Sequence, residues 1–338
     1  MINITDFDFN QNASEFIDLF NLVFKRKIDL NYLKWKFLDT PFGRGFGFGA
    51  WDKSKLVGFV GVWPLKLWAE DKEVSACAGG DTMVDPAYRG KGIFTQLTQR
   101  LLHKIDETDL IFRYSVPGKM SYPGYIKKLN HKLVCFLPYY IKVHPLTWLK
   151  SKIVSPQDLT QLSNFRYNYK NLTLKVTHTI DSRYDQLWNE TRQRVKLGII
   201  HNSSYLDWRF IRNPEKDYLI LCCEENTKLV GFAVIRQANL VEIWAQENIN
   251  AYTAMLRAAD QVWKRLNHPI THSWTMGDSI AVKALKNNLW FNYNIQKRPF
   301  GLYQDQPLIC YNNPSIPDSE TFMMQKKWLF SMTNIDFM

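Results

Sequence analysis

The sequence lacks the patterns that mark several common protein classes. Its 338 residues contain no CxxC pair and no HExxH pattern, and the seven histidines form no pairing typical of zinc sites. No apolar run reaches the roughly 18 residues of a membrane-spanning helix. The first residues, MINITDFDFNQ, are acidic and polar, unlike a secretory signal. We therefore expect a cytoplasmic protein with no metal site and no integral membrane segment.

Cysteine content and net charge indicate the state of the thiols and the class of partner. The five cysteines are odd in number in a chain without a secretory signal, so we expect buried, reduced thiols. The net charge of +11 suits an acidic partner such as a phosphate, a nucleotide, a nucleic acid or an anionic lipid. Nucleic acid is not expected, because no arginine-rich stretch, zinc finger or RNP-like aromatic motif is present. The length favours two domains of about 170 residues.

An internal repeat supports the division into two domains. The segment YLKWKFLDTP at 32–41 returns as YLDWRFIRNP at 205–214, and KLVGF at 55–59 returns unchanged at 228–232. Both matches keep one offset of 173 residues without a gap. Two matches in one register indicate a duplicated domain. Each copy reads as a short helix carrying a tryptophan, then an extended segment and a hairpin.

The composition places the boundary between the copies in an irregular, polar stretch. We expect the first domain at 1–148, a linker with a short amphipathic helix at 149–174, and the second domain at 175–338. The repeated Trp35 and Trp208 are expected to be core residues in equivalent places.

The first copy contains a glycine-rich turn between a strand and a helix. The strand ends before Asp85-Pro86, and YRGKGIF at 88–94 then leads into a helical pattern with one apolar face. The two glycines allow a tight turn that exposes consecutive N–H groups, and the arginine, the lysine and the helix N-terminus add positive charge. The segment predicts a cradle for a diphosphate. It is neither a Walker loop nor a dinucleotide fingerprint, because GxxxxGK[ST] and GxGxxG are absent.

This strand, turn and helix resembles motif A of the GNAT superfamily of acyl-CoA-dependent N-acyltransferases, whose signature is Arg/Gln-x-x-Gly-x-Gly/Ala. Arg89, Gly92 and Phe94 occupy those positions, with Phe94 in place of the usual small residue. The resemblance implies acetyl-CoA or another acyl-CoA as co-substrate. Its pyrophosphate would lie on the turn and its pantetheine arm along the preceding strand. The residues implied for this binding are Met83, Val84, Arg89, Gly90, Lys91, Gly92, Ile93, Phe94 and Thr95.

The second copy keeps the hairpin and loses the glycine turn. At 239–266 a strand enters a helix through Glu-Asn-Ile-Asn without a glycine. Further along, residues 285–291 resemble residues 127–133, and the offset between the copies is only about 160 there. The shorter offset predicts a deletion in the second copy where the phosphate loop would be. The chain thus resembles tandem GNAT proteins with one degenerate half. The resemblance implies an α/β fold of two GNAT-like domains, each a mostly antiparallel twisted sheet flanked by helices, with the second serving acceptor recognition or scaffolding.

The implied reaction is direct attack of an amine on a thioester, and it needs a proton donor for the leaving thiolate. Many family members use the Tyr of a Tyr-x-x-x-Gly-Phe segment. Aligning KLNH at 128–131 on the family's Lys-Leu-Gly-Phe puts Ile126 at the Tyr position. Tyr125, one residue earlier, and Tyr122 are therefore the candidate donors, with aromatic packing as the alternative role for both.

The candidate base is Asp81, which we place at the head of the motif strand, beside two glycines and on the same face as Met83. A desolvated carboxylate there would rise in pKa and accept a proton from the amine. A solvated residue at a strand start, or a ligand for the preceding turn, is the alternative. The oxyanion would be stabilised by a backbone N–H of the same strand, as the resemblance implies.

The function expected from these features is transfer of an acetyl or other acyl group from acyl-CoA to a primary amine. By analogy with the family, the acceptor is a small molecule or saccharide, and an amino sugar of surface-polysaccharide biosynthesis is the first guess. Two alternatives stay open. A Fem-like aminoacyl transferase also uses paired domains of this type, although it would not need the Arg-Gly-Lys-Gly turn. A non-catalytic acyl-CoA-binding sensor or assembly protein is the third hypothesis.

Overall fold

The structure is a computed structural model, and it describes residues 1–151, 162–215, 217–293, 306–316 and 324–334. Within these ranges the chain forms two eight-stranded sheets and a two-stranded ribbon. Helices pack on the sheets, and none of the described helices is long and apolar enough to cross a membrane.

The N-terminal half begins both the first sheet and the helices that cover it. Its elements in chain order are β1 (Ile2–Asp6), α1 (Ala13–Phe24), α2 (Leu30–Leu33), β2 (Phe46–Asp52), β3 (Lys55–Ala69), β4 (Lys72–Val84), α3 (Ile93–Asp106), β5 (Phe112–Ser115), α4 (Tyr122–Lys128), β6 (Lys132–Phe136), β7 (Tyr140–Val143) and α5 (Pro145–Ser151).

The C-terminal half forms most of the second sheet. Its elements are β8 (Arg166–Tyr169), β9 (Leu172–Thr177), α6 (Ser182–Thr191), β10 (Leu197–Ile199), α7 (Ser203–Leu206), β11 (Leu219–Glu225), β12 (Lys228–Arg236), β13 (Asn239–Ala245), α8 (Ile249–Arg265), β14 (Ile270–Ser273), β15 (Thr275–Met276), α9 (Ser279–Asn287), β16 (Phe291–Asn292), β17 (Pro307–Asn312) and β18 (Phe330–Ser331).

The two large sheets are built on one plan. The first has the order β1-β2-β3-β4-β5-β17-β6, with β10 paired to the far end of β3, and the second has the order β16-β7-β14-β13-β12-β11-β9-β8. Neighbouring strands are antiparallel except for two parallel pairs at equivalent places, β4 with β5 and β13 with β14. This topology confirms the predicted α/β fold of two mixed, mostly antiparallel sheets in tandem.

The repeated tryptophans lie in matching local structures. Helices α2 and α7 are capped by Asp29 and Asn202, whose side chains accept a hydrogen bond from the N–H three residues on. Each helix then widens into one π-helical turn, and these turns carry Trp35 and Trp208. The two indoles are buried and stack on each other with ring centroids 5.2 Å apart. Their predicted place in the core is confirmed.

The two halves exchange strands. The N-terminal β7 lies in the second sheet between β14 and β16, whereas the C-terminal β10 and β17 lie in the first. The predicted domain boundaries stay a prediction, because the sheets do not divide at one point of the chain. Within the predicted linker, α5 ends at Ser151 and β8 begins at Arg166. Residues 152–161 of that linker lie outside the described residues.

The apolar residues pack as the sequence patterns predict. The apolar face predicted for α3 is buried against the first sheet, in one core cluster with residues of β3. A larger cluster joins the two halves around the stacked tryptophans, and a third lies beneath α8. The predicted burial of the thiols is confirmed, because all five cysteines are free and buried.

Candidate functional site

A cleft with a volume of about 760 Å³ opens where β4 and β5 part. The parallel register pairs Cys77 with Arg113 and Ala78 with Tyr114, and among the described residues no pairing continues beyond Ala78. The following stretch of β4, residues 79–84, therefore faces the cleft with one edge of its backbone free of a strand partner.

A bulge in β4 shapes the middle of the cleft. Gly61 of β3 pairs with Gly80 and Phe59 pairs with Met83, so two residues of β4 oppose one residue of β3. One of the two, Asp81, has a φ of 50°, in the left-handed region. The prediction that Asp81 stands at the head of the strand is wrong, because β4 runs from Lys72 to Val84 and Asp81 lies near its C-terminal end.

The predicted diphosphate cradle is an open turn at one end of the cleft. Gly90 and Gly92 have φ values of 80° and 78°, which favour glycine. A Cβ added at Gly90 would meet no atom within 4 Å, and one at Gly92 would meet only the Gln96 side chain, at 3.5 Å. The first hydrogen bond of α3 runs from the Gln96 N–H to the Gly92 carbonyl, at 3.1 Å. In the described structure, the N–H groups of the preceding helical residues thus lack a carbonyl partner.

The β2–β3 hairpin holds the turn in place. The Asp85 carboxylate accepts hydrogen bonds from the Ala87 N–H at 2.9 Å and from Lys55 Nζ at 2.8 Å. The Tyr88 hydroxyl donates to Asp52 at 2.8 Å. Burial opposes ionisation of Asp85, but the hydrogen bonds from Lys55 and Ala87 lower the pKa of its carboxyl overall. The turn is therefore fixed by side chains that leave its glycines exposed.

Seven of the nine residues implied for acyl-CoA binding line this cleft, and two do not. The Lys91 ammonium lies over the Tyr88 ring, 4.7 Å from its centroid, and Thr95 is half-buried on α3. The residues that line the cleft are Met83, Val84, Arg89, Gly90, Gly92, Ile93 and Phe94. Sequence reasoning missed the opposite wall, at 115–121, although its Pro-Gly pair is a loop signal.

The two candidate proton donors differ in position. Tyr125 is buried and lines the cleft, with its hydroxyl 3.1 Å from the Thr82 hydroxyl and its ring edge-on to Phe94. Tyr122 is not among the described lining residues and has the Phe136 ring as its aromatic neighbour. Ile126, which the family alignment places at the tyrosine position, packs against the core beneath α3. The structure therefore brings Tyr125 to the cleft and leaves Tyr122 outside it.

The candidate base forms a buried ion pair. Asp81 lines the cleft, and its Oδ2 is 2.7 Å from Lys36 Nζ. Both side chains are almost fully buried, and the ammonium is also 4.8 Å from the Trp63 ring centroid. Burial lowers the pKa of Lys36 to about 8, although Asp81 opposes the shift. The sequence predicted a lone desolvated carboxylate, whereas the structure shows one with a cationic partner.

The second half has no equivalent of the turn. In both halves the residue after the strand donates its N–H to the facing strand: Asp85 to Val57, and Gln246 to Val230, each at 2.9 Å. Helix α3 begins eight residues after Asp85, but α8 begins three residues after Gln246. The larger loss is in the β12–β13 hairpin, whose strands are each six residues shorter than the equivalent β3 and β4. The predicted deletion is therefore split between the two places.

Side chains fill the space where a second cleft would lie. The Arg194 guanidinium stacks 3.9 Å from the Trp244 ring centroid and donates to the Ala245 carbonyl and the Tyr252 hydroxyl. Trp244 pairs with Phe232 as Met83 pairs with Phe59, so it occupies the equivalent place in the second sheet. A pocket of about 100 Å³ remains beside these residues. Across the residues that the structure covers, no group of His, Cys, Asp and Glu side chains could hold a metal ion.

The N-terminal part of the chain matches a known protein family. Residues 9–130 match the acetyltransferase (GNAT) domain family, a segment that includes the bulge, the glycine turn and α4. No curated protein matches the chain.

Similar solved structures show the same fold. N-myristoyltransferase from Saccharomyces cerevisiae, with bound myristoyl-CoA and inhibitors, is 13% identical at a TM-score of 0.61, over 100% of this chain and 86% of that one. A GCN5-related N-acetyltransferase from Anabaena variabilis is 12% identical at a TM-score of 0.63, over 92% of this chain and 72% of that one. A probable N-acyltransferase from Enterococcus faecalis is 16% identical at 0.59, over 80% of this chain, which spans 65% of that protein. The family match thus covers residues 9–130 of the chain, and these solved structures share its fold.

Proposed function

We propose that the cleft binds an acyl-CoA and that the protein passes the acyl group to a primary amine. The observation that carries this proposal is the open turn at Gly90 and Gly92, which lines the cleft and leaves the first N–H groups of α3 without a carbonyl partner in the described structure. Such a turn suits a diphosphate, because consecutive amides and the helix dipole both favour negative charge.

The backbone of β4 supplies the next contacts of the proposed donor. Its free edge at 79–84 offers N–H and C=O groups that the amides of a pantetheine arm can pair with, as an added strand would. The Ser115 hydroxyl lies on the opposite wall, buried and without a hydrogen-bond partner among the described residues. A buried polar group of this kind is usually satisfied by water or by a ligand.

We assign the two proton transfers to two side chains that line the cleft. The amine must lose a proton when it attacks the thioester carbonyl, and Asp81 on the bulge is the carboxylate that faces the cleft at this depth. The C–S bond then breaks, and the leaving thiolate takes a proton from the Tyr125 hydroxyl. A backbone N–H of the β4 edge stabilises the oxyanion. The amide and the free thiol of CoA are the products.

The acceptor class is proposed as an amino sugar or a similar small primary amine. The cleft is lined in part by the aromatic residues Phe24, Trp63 and Tyr114, and aromatic faces pack against sugar rings. Acetyl-CoA is the first donor to test. A longer acyl chain is the second, because the yeast N-myristoyltransferase of the same fold holds myristoyl-CoA.

The experiment is a thiol-release assay with acetyl-CoA and octanoyl-CoA against a panel of amino sugars, polyamines and amino acids. Turnover with any amine supports the transferase. Tight CoA binding without turnover would favour the sensor hypothesis. Transfer that requires aminoacyl-tRNA, with no CoA binding, would favour the Fem-like hypothesis.

A matched pair of variants tests the cradle itself. Asp and Asn have the same shape, and both tolerate a positive φ, so Gly92→Asp and Gly92→Asn differ chiefly in charge. We expect Gly92→Asp to abolish CoA binding by calorimetry, whereas Gly92→Asn retains part of it and both variants stay folded. Equal CoA affinity in Gly92→Asp and the wild type would refute the cradle.

A further inference from the structure

Arg113 on β5 carries a guanidinium that is completely buried next to the cleft. Its Nη1 is 2.8 Å from His131 Nε2, and its Nη2 donates to the Tyr125 hydroxyl at 3.3 Å. Among the described residues no carboxylate forms an ion pair with it. A guanidinium stays charged in proteins, so the fold here encloses a cation without an anion.

The partner histidine does not supply a negative charge and does not compete for a proton. Burial and the neighbouring Arg113 lower the pKa of His131 to about 3, so its ring is neutral. The His131 Nδ1 is 2.8 Å from the Leu129 carbonyl, which places the hydrogen on Nδ1 and leaves Nε2 to accept from Arg113. His131 therefore anchors the guanidinium and fixes its direction.

The opposite strand makes room for this charge. A Cβ at Gly79 of β4 would lie 2.1 Å from Arg113 Nη2, so no larger residue fits while the guanidinium stays in place. Burying an unpaired cation costs stability, and an apolar side chain of similar length would avoid that cost. Packing alone does not account for this arrangement, whereas a role at the adjacent cleft does.

We propose that Arg113 is a positioning residue that enables Tyr125 to protonate the leaving thiolate, an inference that rests on the proposed acyl transfer. Because the Tyr125 oxygen accepts a hydrogen bond from Arg113, its own hydrogen points away from the guanidinium, toward Thr82 and the cleft. When the C–S bond breaks, the proton moves from the Tyr125 oxygen to sulfur. Arg113 stabilises the resulting phenolate until the proton released by the attacking amine returns to it.

The first test is a double-mutant cycle on turnover of acetyl-CoA with the best amine of the panel. General acid catalysis is worth about 100-fold or more, so Tyr125→Phe should lower kcat by about that factor and Arg113→Met by at least 10-fold. The double variant should be no more than about 2-fold slower than Tyr125→Phe, because the arginine acts through the tyrosine. Losses that multiply in the double variant would overturn the inference.

The second test replaces the leaving group while keeping the CoA handle. A selenol is a stronger acid than a thiol, so the selenoester of acetyl-CoA releases its leaving group without a proton donor. The loss in Arg113→Met and in Tyr125→Phe should therefore shrink to about 3-fold or less with this donor. An equal loss with thioester and selenoester would show that Arg113 affects another step.

A binding measurement separates this inference from the proposed function. CoA should bind more tightly than desulfo-CoA to the wild type, because the Tyr125 hydroxyl contacts sulfur, and this preference should disappear in both Tyr125→Phe and Arg113→Met. The ratio of CoA affinity to desulfo-CoA affinity is measured without turnover, so it tests the role of Arg113 even where no amine is acylated. An unchanged ratio in Arg113→Met, in a variant that unfolds at or above the wild-type temperature, would overturn the inference.

Discussion

The Trp35 and Trp208 indoles exchange hydrogen bonds across the junction of the two halves. Trp35 Nε1 donates to the Trp208 carbonyl at 2.7 Å, and Trp208 Nε1 donates to the Trp35 carbonyl at 2.9 Å. The interaction is self-complementary in the way that a symmetric dimer interface is, although both partners belong to one chain. The duplication visible in the sequence therefore survives in the structure as a pseudo-two-fold contact.

This contact predicts equal effects for two distant substitutions. Trp35→Phe and Trp208→Phe each remove one buried donor and leave one buried carbonyl unpaired. Each should lower the free energy of unfolding by about 1–3 kcal/mol. Urea unfolding followed by circular dichroism measures this. Trp148→Phe, on the exposed side of α5, is the control and should change little. Unfolding of the wild type in two separate transitions would contradict a shared core.

The buried Lys36 predicts a stability change on the alkaline side. Its pKa falls from an ordinary 10.5 to about 8 on folding, so between these pH values the unfolded chain binds more protons than the folded one. The stability of the wild type relative to Lys36→Met should therefore rise as the pH goes from 8 to 10.5. Lys34→Met, which removes an exposed lysine from the same turn, should show no such trend. A flat difference for Lys36→Met would place its pKa near the ordinary value.

His131 predicts an acid-dependent loss of stability. Its pKa is lowered from 6.5 to about 3 on folding. Between these pH values the unfolded chain binds a proton at this residue and the folded chain does not, so the folded state loses stability as the pH falls. The wild type should lose on the order of 3 kcal/mol from this residue by pH 4. His131→Gln, which keeps an acceptor for Arg113, should lose less stability than the wild type between pH 7 and pH 4. The same change at His103, which is exposed, should leave the acid sensitivity as it is.

Gly79 predicts a substitution whose effect depends on its neighbour. In the wild type, Gly79→Ala places a methyl group against the Arg113 guanidinium and should destabilise the fold by about 1–3 kcal/mol. In an Arg113→Met background the flexible thioether can give way, so the same change should cost much less. Thermal unfolding of the four proteins gives the coupling. Additive effects would mean that the guanidinium is not packed against Gly79.

Local signals in the sequence predict the parts of the site that depend on neighbouring residues. The glycine spacing after Asp85 predicts the open turn, and the 3.6-residue period predicts the buried face of α3. The bulge could not be predicted in this way, because the positive φ falls on Asp81 and not on a glycine that would indicate it. The family alignment puts Ile126 at the tyrosine position, one residue from Tyr125, which lines the cleft; Asn130 adopts a left-handed conformation just after α4 in this segment.

Long-range pairing accounts for the remaining differences. Arg194 fills the space in the second half from a position about fifty residues before the strand it covers, and no periodicity links the two. The sequence also gives no sign that Lys36 would pair with Asp81, although the repeat aligns Lys36 with Arg209. Contacts of this kind depend on the tertiary arrangement of separate segments.

The position of β17 has a consequence for synthesis of the protein. This strand, Pro307–Asn312, lies between β5 and β6, which are themselves close together in the chain. During translation the N-terminal half must therefore wait, with the facing edges of β5 and β6 unpaired, until residue 312 has left the ribosome. The nascent chain should stay sensitive to proteases and dependent on chaperones up to that length, and become resistant in a single late step.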